Sequence, residues 1–290
     1  MFKGMLTALV TPFRNGAVDT RALGELVEAQ VAGGAQGLVP CGSTGESATL
    51  THEEHLEVVR HVVRVARGRI PVIAGSGSNS TAEAVRLTRG AEEAGANGAL
   101  LISPYYNRPT QEGIYRHYAA VAEATKLPLI VYNIPGRTAS KIEATTLERL
   151  AELPEIIGLK EATGSLDECQ EVIRRCGDAL PVYAGDDALT LPVLAVGGVG
   201  VISVVSNIAP KAWVETVEAA RRNDWADARR RNYALLPLLR TLFLETNPIP
   251  IKAAMALRGF CGDEVRLPLL PMSEAPRQHL RAAMLEAGLL

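Results

Sequence analysis

The 290-residue sequence predicts an α/β protein, a (β/α)8 TIM barrel with a C-terminal helical extension. Eight short apolar runs alternate with helix-period segments along residues 1–223. Each run is nearly continuously apolar rather than alternating, as is typical of parallel strands that are covered on both faces. Eight strand–helix units suit a barrel of the usual ~250 residues. The predicted strands are Leu6–Thr11, Gly37–Pro40, Pro71–Gly75, Gly98–Ser103, Pro128–Asn133, Ile156–Lys160, Pro181–Gly185 and Gly200–Val205.

The segments between these runs have the apolar periodicity of amphipathic helices. Thr51, which precedes two glutamates, and Ser80, which is followed by Glu83, are typical residues at helix starts. Glycines at positions 33–34, 68, 95 and 197–198 are typical of helix ends. Helices therefore alternate with the strands, and clear examples are predicted over Arg21–Ala32, His52–Ala66, Thr81–Ala94 and Gln111–Ala124.

A doubly wound open sheet is the competing fold. It usually has fewer strands, and a glycine-rich dinucleotide turn follows its first strand, whereas residues 11–16 form no such turn. After Asn223 the pattern changes to helices without strands, over Asp224–Glu245, Pro250–Gly259 and Ser273–Ala287. We therefore predict two domains, a catalytic barrel of residues 1–223 and a C-terminal helical domain of residues 224–290.

Composition argues against several classes of protein. The net charge of −2 and the 4% aromatic content predict no basic face or stacking platform for nucleic acid, and no face for an anionic membrane. The apolar run near the N-terminus is short and broken by Pro12, so it resembles neither a signal peptide nor a membrane span. The four cysteines form no CxxC pair and match no zinc spacing, which predicts reduced thiols in a cytoplasmic protein.

Lys160 is the one charged residue in the predicted strand Ile156–Lys160. Burial favours the neutral amine, which is the nucleophilic form and the form that attacks a carbonyl to make a Schiff base. The ordinary alternative is a lysine at a strand end that pairs with Glu161 or extends its amine to water. The strand alone favours this alternative, and the residues at the other strand ends reverse the preference.

In a barrel of this kind, the chemistry takes place at the carboxyl ends of the strands. Each strand end taken alone has an ordinary explanation. Gly42–Gly45 could be an ordinary glycine turn, and because it lacks the lysine of a P-loop it gives little support for nucleotide binding. Asp186 and Asp187 could suggest a divalent metal, but adjacent carboxylates on a strand point to opposite faces, so we predict no metal site. Together, the strand ends bring to one rim Ser43, Thr44, Tyr105, Tyr106, Tyr132, Arg137, Lys160, Gly185 and Ile202.

These residue types suit one kind of reaction. Backbone N–H groups and hydroxyls at Ser43 and Thr44 can bind a small carboxylate, and Lys160 can form an imine with the neighbouring ketone. A tyrosine hydroxyl can move the protons that imine and enamine formation require. Arg137 can bind a second carboxylate through two hydrogen bonds. The sequence therefore predicts an aldolase-type reaction on 2-oxo acids, without a metal or an organic cofactor because the lysine supplies the electron sink.

Seven runs carry a family resemblance that spans nearly the whole chain. They are GSTGESATL (Gly42–Leu50), SPYYNRPTQEG (Ser103–Gly113), YNIPGRT (Tyr132–Thr138), GLKEATG (Gly158–Gly164), YAGDDA (Tyr183–Ala188), GVISV (Gly200–Val204) and NPIPIK (Asn247–Lys252). With them the chain resembles the N-acetylneuraminate lyase/dihydrodipicolinate synthase family, and its synthase branch in particular. The resemblance implies a Schiff-base lyase that condenses pyruvate with L-aspartate 4-semialdehyde to 4-hydroxy-tetrahydrodipicolinate, in the biosynthesis of diaminopimelate and lysine.

The resemblance also implies roles for single residues. Lys160 is the Schiff-base lysine, Thr44 and Tyr132 are a proton-relay pair, and Tyr106 is a third relay member that the partner subunit of a tight dimer contributes. The resemblance further implies a homotetramer built as a dimer of dimers. Substrate contacts are implied for Ser43 and Thr44 on the small carboxylate, Arg137 on the semialdehyde carboxylate, and the backbone of Gly185 and Ile202 on the keto acid.

Two alternatives stay open. The first is a related enzyme, an N-acetylneuraminate lyase or a 2-keto-3-deoxy sugar-acid aldolase or dehydratase. Arg137 favours the synthase because the sugar-acid lyases generally lack an arginine there, while Ser43 stands where most synthases have threonine and neuraminate lyases commonly have serine. We expect Ser43 to alter substrate affinity rather than abolish the reaction. The second alternative is a non-catalytic amino-acid-binding barrel, against which Lys160, Tyr132 and Thr44 argue.

The resemblance implies a second site, at which lysine inhibits the enzyme between two subunits. His52 and His55 are three residues apart on a predicted helix and share a face, and Asn79 and Glu83 flank the next helix start. An amide and a carboxylate there could bind the two charged ends of lysine. The ordinary alternative is a solvated helix face. The full predicted set is Ser47, Ala48, His52, His55, Asn79, Glu83 and Tyr105.

Overall fold

A computed structural model describes residues 2–290 and shows eight parallel strands in a single sheet. A bridge between Leu38 and Val72 joins the two edge strands and closes the sheet, so the barrel prediction is confirmed. A short antiparallel hairpin, β2 (Phe13–Arg14) and β3 (Ala17–Val18), was not predicted. The barrel strands are β1 (Gly4–Ala8), β4 (Gly37–Val39), β5 (Ile73–Gly75), β6 (Gly98–Ile102), β7 (Leu129–Asn133), β8 (Ile156–Glu161), β9 (Val182–Ala184) and β10 (Gly200–Ser203), in the spatial order β4-β1-β10-β9-β8-β7-β6-β5.

Helices follow the strands around the barrel. The N-terminal caps confirm two predicted starts, because Thr51 accepts a hydrogen bond from the backbone N–H of Glu54 and Ser80 accepts one from that of Glu83. The helices are α1 (Thr20–Ala32), α2 (His52–Ala66), α3 (Thr81–Glu93), α4 (Gln111–Glu123), α5 (Pro135–Thr138), α6 (Ala144–Leu150), α7 (Leu166–Cys176), α8 (Thr190–Ala195), α9 (Pro210–Arg221), α10 (Trp225–Thr241), α11 (Ile249–Leu257) and α12 (Glu274–Glu286).

The first strand differs most from its prediction, since it covers Gly4–Ala8 rather than Leu6–Thr11. Its start is earlier because Gly4 pairs with Gly200 of β10. It ends early because the N–H of Val10 bonds to the side-chain oxygen of Asn207 at 3.2 Å instead of to a strand. The side-chain Nδ2 of Asn207 also donates to the carbonyl of Ala8 at 2.8 Å. A buried side chain therefore takes over the backbone hydrogen bonds that the apolar run alone would assign to the sheet.

The three helices after Asn223 are confirmed as helices. The first ends at Thr241 rather than Glu245, because Phe243 and Leu244 continue in tighter turns to the carbonyls of Arg240 and Thr241. Buried residues of α10, α11 and α12 belong to the same apolar core that surrounds the barrel. The division into domains at residues 223 and 224 stays a prediction. Within residues 2–290, no helix is both long enough and apolar enough to cross a membrane.

The barrel interior brings the predicted chemistry together. Side chains from the strands fill it, among them Val39, Ile130, Tyr183 and Ile202. Tyr132 of β7 lies beside Lys160 of β8 in strand register. Because all eight strands are parallel, their carboxyl ends and the loops that follow them share one end of the barrel.

Candidate active site

Lys160 lies on β8 with 5% of its surface exposed. Its Nζ is 4.3 Å from the ring centre of Tyr132. Burial lowers the pKa of this amine to about 8, although the charge of Asp187 acts in the opposite direction. A pKa of 8 leaves about a tenth of the amine neutral at pH 7, far more than an ordinary lysine. The strand therefore supplies a buried amine with nucleophilic character.

Glu161 is not the partner of Lys160. Adjacent residues of a strand point to opposite faces, and the Glu161 carboxylate instead accepts hydrogen bonds from Asn133 Nδ2 at 3.2 Å and from the N–H of Thr163 at 2.7 Å. Lys160 forms no ion pair among the residues that the structure describes. The ordinary explanation, a lysine paired with its neighbour or extended to water, therefore does not describe this residue.

Tyr132 of β7 is also buried and forms part of the barrel interior. Burial raises the pKa of its hydroxyl to about 12, while the charge of Arg137 and the hydroxyl of Ser43 act against that rise. The phenol is therefore protonated at neutral pH, and it can donate a hydrogen bond or a proton beside the Lys160 amine.

Thr44 lies in the loop after β4 and is 3% exposed. Its Oγ1 accepts a hydrogen bond from Asn247 Nδ2 at 3.0 Å. Gly45 allows the loop to turn this tightly, because a Cβ at that position would meet the backbone N of Cys41 at 2.9 Å. Ser43, which is half-buried, precedes Thr44. Both hydroxyl residues of the predicted carboxylate-binding turn are thus held at the carboxyl end of β4.

Behind this loop lies a buried ion pair that the sequence did not predict. Glu46 has a left-handed backbone (φ 52°), and one of its carboxylate oxygens accepts a hydrogen bond from Lys252 Nζ of α11. Lys252 also donates to the carbonyl of Glu264 at 2.7 Å, and the second oxygen of Glu46 accepts from the N–H of Arg266 at 3.0 Å. Helix α11 and the segment that follows it therefore anchor the Thr44 loop.

Arg137 lies on the short helix α5, directly after β7, and is exposed. Its guanidinium Nη2 donates to the backbone carbonyl of Asn247 at 2.8 Å. The remaining guanidinium donors leave room for a carboxylate at the open end of the barrel. Asn247 thus contacts both Arg137 and Thr44, although sequence analysis gave it no role.

Backbone contacts to the keto acid are predicted at Gly185 and Ile202. Gly185 follows β9, and a Cβ there would meet Ala162 Cβ at 2.6 Å and the carbonyl of Glu161 at 2.9 Å, so only glycine fits without a shift. Ile202 of β10 is fully buried in the barrel interior. Both therefore belong to the inner wall that also carries Lys160.

The two aspartates after Gly185 point to different partners. Asp186 accepts from the N–H of Ala188 at 2.9 Å. Asp187 is buried, and its Oδ2 accepts from the N–H groups of Val204 and Val205 at 2.9 and 2.8 Å. Burial raises the pKa of the Asp187 carboxyl. In the described part of the chain, no three His, Cys, Asp or Glu side chains converge as metal ligands do.

Tyr106 is the predicted catalytic residue that the chain does not bury. Its side chain is 88% exposed, and its backbone has a left-handed φ of 73°. The next residue, Asn107, donates through its side chain to the carbonyl of Asn79 at 2.9 Å, which fixes the loop to the start of α3. The single chain thus presents Tyr106 to solvent.

The predicted lysine-site residues fall into two groups. Glu83 Oε1 lies 2.6 Å from His52 Nε2, and its other oxygen accepts from Ser78. These bonds lower the pKa of the Glu83 carboxyl. His55 is instead buried, with Nε2 2.7 Å from the carbonyl of Gly75, and burial lowers its pKa. The other members, which are exposed or half-buried, are Ser47, Ala48, Asn79 and Tyr105.

Comparison with known proteins shows that the chain matches a protein family. A family model described as the dihydrodipicolinate synthetase family matches residues 1–287. Among curated proteins, the 4-hydroxy-tetrahydrodipicolinate synthase of Syntrophus aciditrophicus is 52% identical over 290 residues, which cover 100% of both chains. The similarity thus includes the barrel and the C-terminal helices.

Solved structures agree with this similarity. The chloride-inhibited dihydrodipicolinate synthase of Acinetobacter baumannii, complexed with pyruvate, superimposes with a TM-score of 0.98 at 45% identity and covers 100% of each chain. The enzyme from Cyanidioschyzon merolae with lysine bound gives a TM-score of 0.96 at 42% identity, covering 100% of this chain and 99% of that one. The fold and the arrangement of its strand ends are therefore shared with these enzymes.

Proposed function

Because this chain belongs to the dihydrodipicolinate synthetase family, we propose that Lys160 performs the family's reaction through a Schiff base with pyruvate. The chain is a lyase, and its reaction condenses pyruvate with L-aspartate 4-semialdehyde to 4-hydroxy-tetrahydrodipicolinate in lysine and diaminopimelate biosynthesis. The observation that carries the assignment to Lys160 is its burial without an ionic partner against the ring of Tyr132.

The first half of the reaction uses the buried amine. Neutral Lys160 attacks C2 of pyruvate, and loss of water gives an imine that acts as an electron sink. Loss of a proton from the methyl group then gives an enamine. Tyr132, protonated at neutral pH, supplies a proton to the departing hydroxyl, and Thr44 relays protons between the pocket and Tyr132. Ser43, Thr44 and the backbone at Gly185 and Ile202 bind the keto acid.

The second half joins the two substrates. The enamine carbon attacks the aldehyde of the semialdehyde, whose carboxylate Arg137 binds. The substrate amine then displaces Lys160 by transimination, which closes the ring and restores the lysine. We propose that neither an organic cofactor nor a metal takes part, because the lysine imine itself accepts the electrons.

A product assay tests this function against its alternatives. Purified protein should convert pyruvate and aspartate semialdehyde to the cyclic product, detected by mass spectrometry, and should cleave N-acetylneuraminate and 2-keto-3-deoxygluconate far more slowly. Preferred cleavage of either sugar acid would make the chain a sugar-acid lyase. Failure in all three reactions, with the protein folded, would favour a non-catalytic amino-acid-binding barrel.

We propose that lysine inhibits the enzyme at the cleft around His52 and Glu83. The support is a carboxylate that is half-buried and charged, beside the loop that carries Tyr105 and Tyr106. Asn107 links that loop to Asn79. Inhibition requires that lysine bind the active and inhibited states differently, and the loop is the element that could report the difference.

A matched pair of variants tests the lysine site. Glu83→Gln should raise the lysine concentration for half inhibition by about 10-fold or more, because a hydrogen bond to a charged group is lost. Glu168→Gln is the control, because Glu168 occupies the same position after a capping serine, at the start of α7. If wild-type turnover is unchanged by millimolar lysine, the proposal of regulation fails.

We also propose a cytoplasmic homotetramer of two tight dimers, in which Tyr106 of one subunit completes the relay of another. The exposure of Tyr106 in a fixed loop supports a role outside its own chain. The four cysteines are free thiols, which supports the location. Mixing Tyr106→Phe subunits with Lys160→Ala subunits should restore part of the turnover. No recovery in verified mixed dimers would place Tyr106 outside its neighbour's site.

A further inference from the structure

Asn247 contacts two parts of the candidate active site, the loop of Thr44 and the helix of Arg137. It belongs to the loop between α10 and α11 and is 7% exposed. Its side-chain Nδ2 donates to Thr44 Oγ1 at 3.0 Å, and its backbone carbonyl accepts from Arg137 Nη2 at 2.8 Å. One residue of the C-terminal segment therefore touches both the proposed relay and the proposed carboxylate clamp.

In the hydrogen bond between Asn247 and Thr44, Asn247 is the donor and the Thr44 hydroxyl is the acceptor. A threonine hydroxyl has one hydrogen to donate and can also accept. Because Thr44 accepts the hydrogen from Asn247, its own hydrogen is not used in that contact. Within residues 2–290 the Thr44 side chain forms that one hydrogen bond. The hydroxyl is therefore left as a donor on the side away from Asn247.

We propose that Asn247 is a positioning residue that keeps the Thr44 hydroxyl as a hydrogen-bond donor toward the reacting groups. Asn247 acts through Thr44 and does not itself react. The inference rests on the proposed role of Thr44 in proton transfer, and it adds the residue that orients that transfer. The required direction follows from Tyr132, whose oxygen must regain a proton after it gives one up.

The side chain of Asn247 is poorly explained by stability alone. Its Oδ1 is buried and has no hydrogen-bond partner within the described chain. An unpaired buried carbonyl oxygen destabilises the folded state. The amide nitrogen is the side-chain atom of Asn247 that forms a hydrogen bond, and its acceptor is Thr44 Oγ1. The link to Arg137 uses the backbone, so a change of side chain separates the two contacts.

The decisive variant is Asn247→Asp, because a carboxylate accepts hydrogen bonds but cannot donate them. It would take the hydrogen of Thr44 and reverse the bond. We expect kcat to fall about 100-fold, as for loss of a positioned proton transfer, and KM for the semialdehyde to stay within about twofold. Asn247→Ala leaves the hydroxyl undirected and should lower kcat by about 10-fold.

Asn232→Asp is the matched control. Asn232 lies on α10, is likewise 7% exposed, and has an unpartnered Oδ1, but the side-chain hydrogen bonds of Thr44 and Arg137 go to Asn247 and not to Asn232. It should keep the wild-type kcat. Urea unfolding of all the variants separates loss of fold from loss of rate. If Asn247→Asp does not fold, Asn247→Ala decides, because it adds no charge.

Several outcomes would overturn the inference. Wild-type kcat in Asn247→Asp, or in Asn247→Ala if the aspartate variant does not fold, would show that the direction of the bond does not matter. A semialdehyde KM that rises as much as kcat falls would show a displaced segment that disturbs Arg137 as well. The variant Thr44→Val separates a failure of the Asn247 inference from a failure of the proposed relay. A wild-type kcat in Thr44→Val would remove Thr44 from the reaction. A low kcat in Thr44→Val together with a wild-type kcat in Asn247→Asp would refute the role of Asn247 alone.

Discussion

The chain buries two lysines against aromatic rings, and their surroundings differ in one respect. Lys160 lies 4.3 Å from the ring centre of Tyr132, and Lys252 lies 4.1 Å from that of Phe13. Lys252 is paired with the Glu46 carboxylate, whereas Lys160 has no ionic partner in the described chain. Burial lowers the pKa of both amines, but at Lys252 the charge of Glu46 and its hydrogen bond oppose that shift. A paired buried lysine holds elements together, while an unpaired one approaches neutrality and can react.

The neighbouring ring adds to the contrast. Tyr132 has a hydroxyl that can move a proton beside Lys160, and Phe13 has none. Arg266 lies on the same Phe13 ring at 4.4 Å, so that region collects fixed positive charge from two residues. The difference teaches that burial alone does not identify a catalytic lysine. The absence of a carboxylate partner and the presence of a proton donor distinguish it.

The largest effect should follow removal of the unpaired amine. Lys160→Met keeps the volume of the side chain but cannot form an imine, so turnover should fall by about 10⁴-fold or more. The free energy of unfolding should stay equal or rise, because no ion pair is broken. Stopped-flow assays and urea unfolding measure the two quantities. A variant that retained more than a tenth of wild-type turnover would exclude Lys160 as the nucleophile.

Removal of the paired lysine should lower stability but leave the imine chemistry of Lys160 intact. Lys252→Met leaves the Glu46 carboxylate buried without its partner, so the free energy of unfolding should fall by about 3–5 kcal/mol. The folded fraction should still form the pyruvate adduct on Lys160. Adding Glu46→Gln removes the unpaired charge and should recover part of the loss. An unchanged stability in the single variant would mean that the pair does not anchor the Thr44 loop.

A smaller effect is expected at the open end of the barrel. Arg137→Ala should raise KM for the semialdehyde by about 10- to 100-fold, the range for loss of a hydrogen bond to a charged group. The rate of pyruvate adduct formation should change little, because Arg137 binds the second substrate. Steady-state kinetics with each substrate varied separate these effects. If only pyruvate binding weakened, the assignment of Arg137 would be wrong.

The last effect is graded with pH and needs no substitution. Burial lowers the pKa of Lys160 to about 8, and the neutral amine is the form that attacks pyruvate. The rate of adduct formation should therefore rise about 10-fold per pH unit below pH 8 and level off above it. Rapid-quench trapping between about pH 5.5 and about pH 10.5 measures the profile. A rise that continues unbroken to pH 10 would indicate an amine with an ordinary pKa.

The sequence predicted the fold well because the signal is local and repeated. Continuous apolar runs and helix caps such as Thr51 depend on neighbours within a few residues. The early end of β1 escaped prediction because a distant side chain, that of Asn207, bonds the backbone there. The hairpin Phe13–Val18 escaped it because the carboxylate of the distant Glu264 accepts hydrogen bonds from the N–H groups of its turn, at Asn15 and Gly16. Tertiary hydrogen bonds of this kind have no periodicity that a single sequence reveals.

The candidate site was predicted in part for the same reason. Lys160 could be found because a single charge interrupts an apolar strand, and Tyr132 because it lies near the carboxyl end of the neighbouring one. Asn247 and Lys252 could not be assigned, because their partners Thr44 and Glu46 lie 203 and 206 residues away. Both lie in the run NPIPIK, which was recognised as part of a resemblance but had no chemistry attached to it.

The most direct test of the contrast between the two buried lysines is borohydride trapping with and without pyruvate, followed by intact mass and peptide mapping. We predict one pyruvate-dependent adduct per chain, on Lys160, and none on Lys252. A folded protein that forms no adduct, or one that carries the adduct on another lysine, would contradict the account.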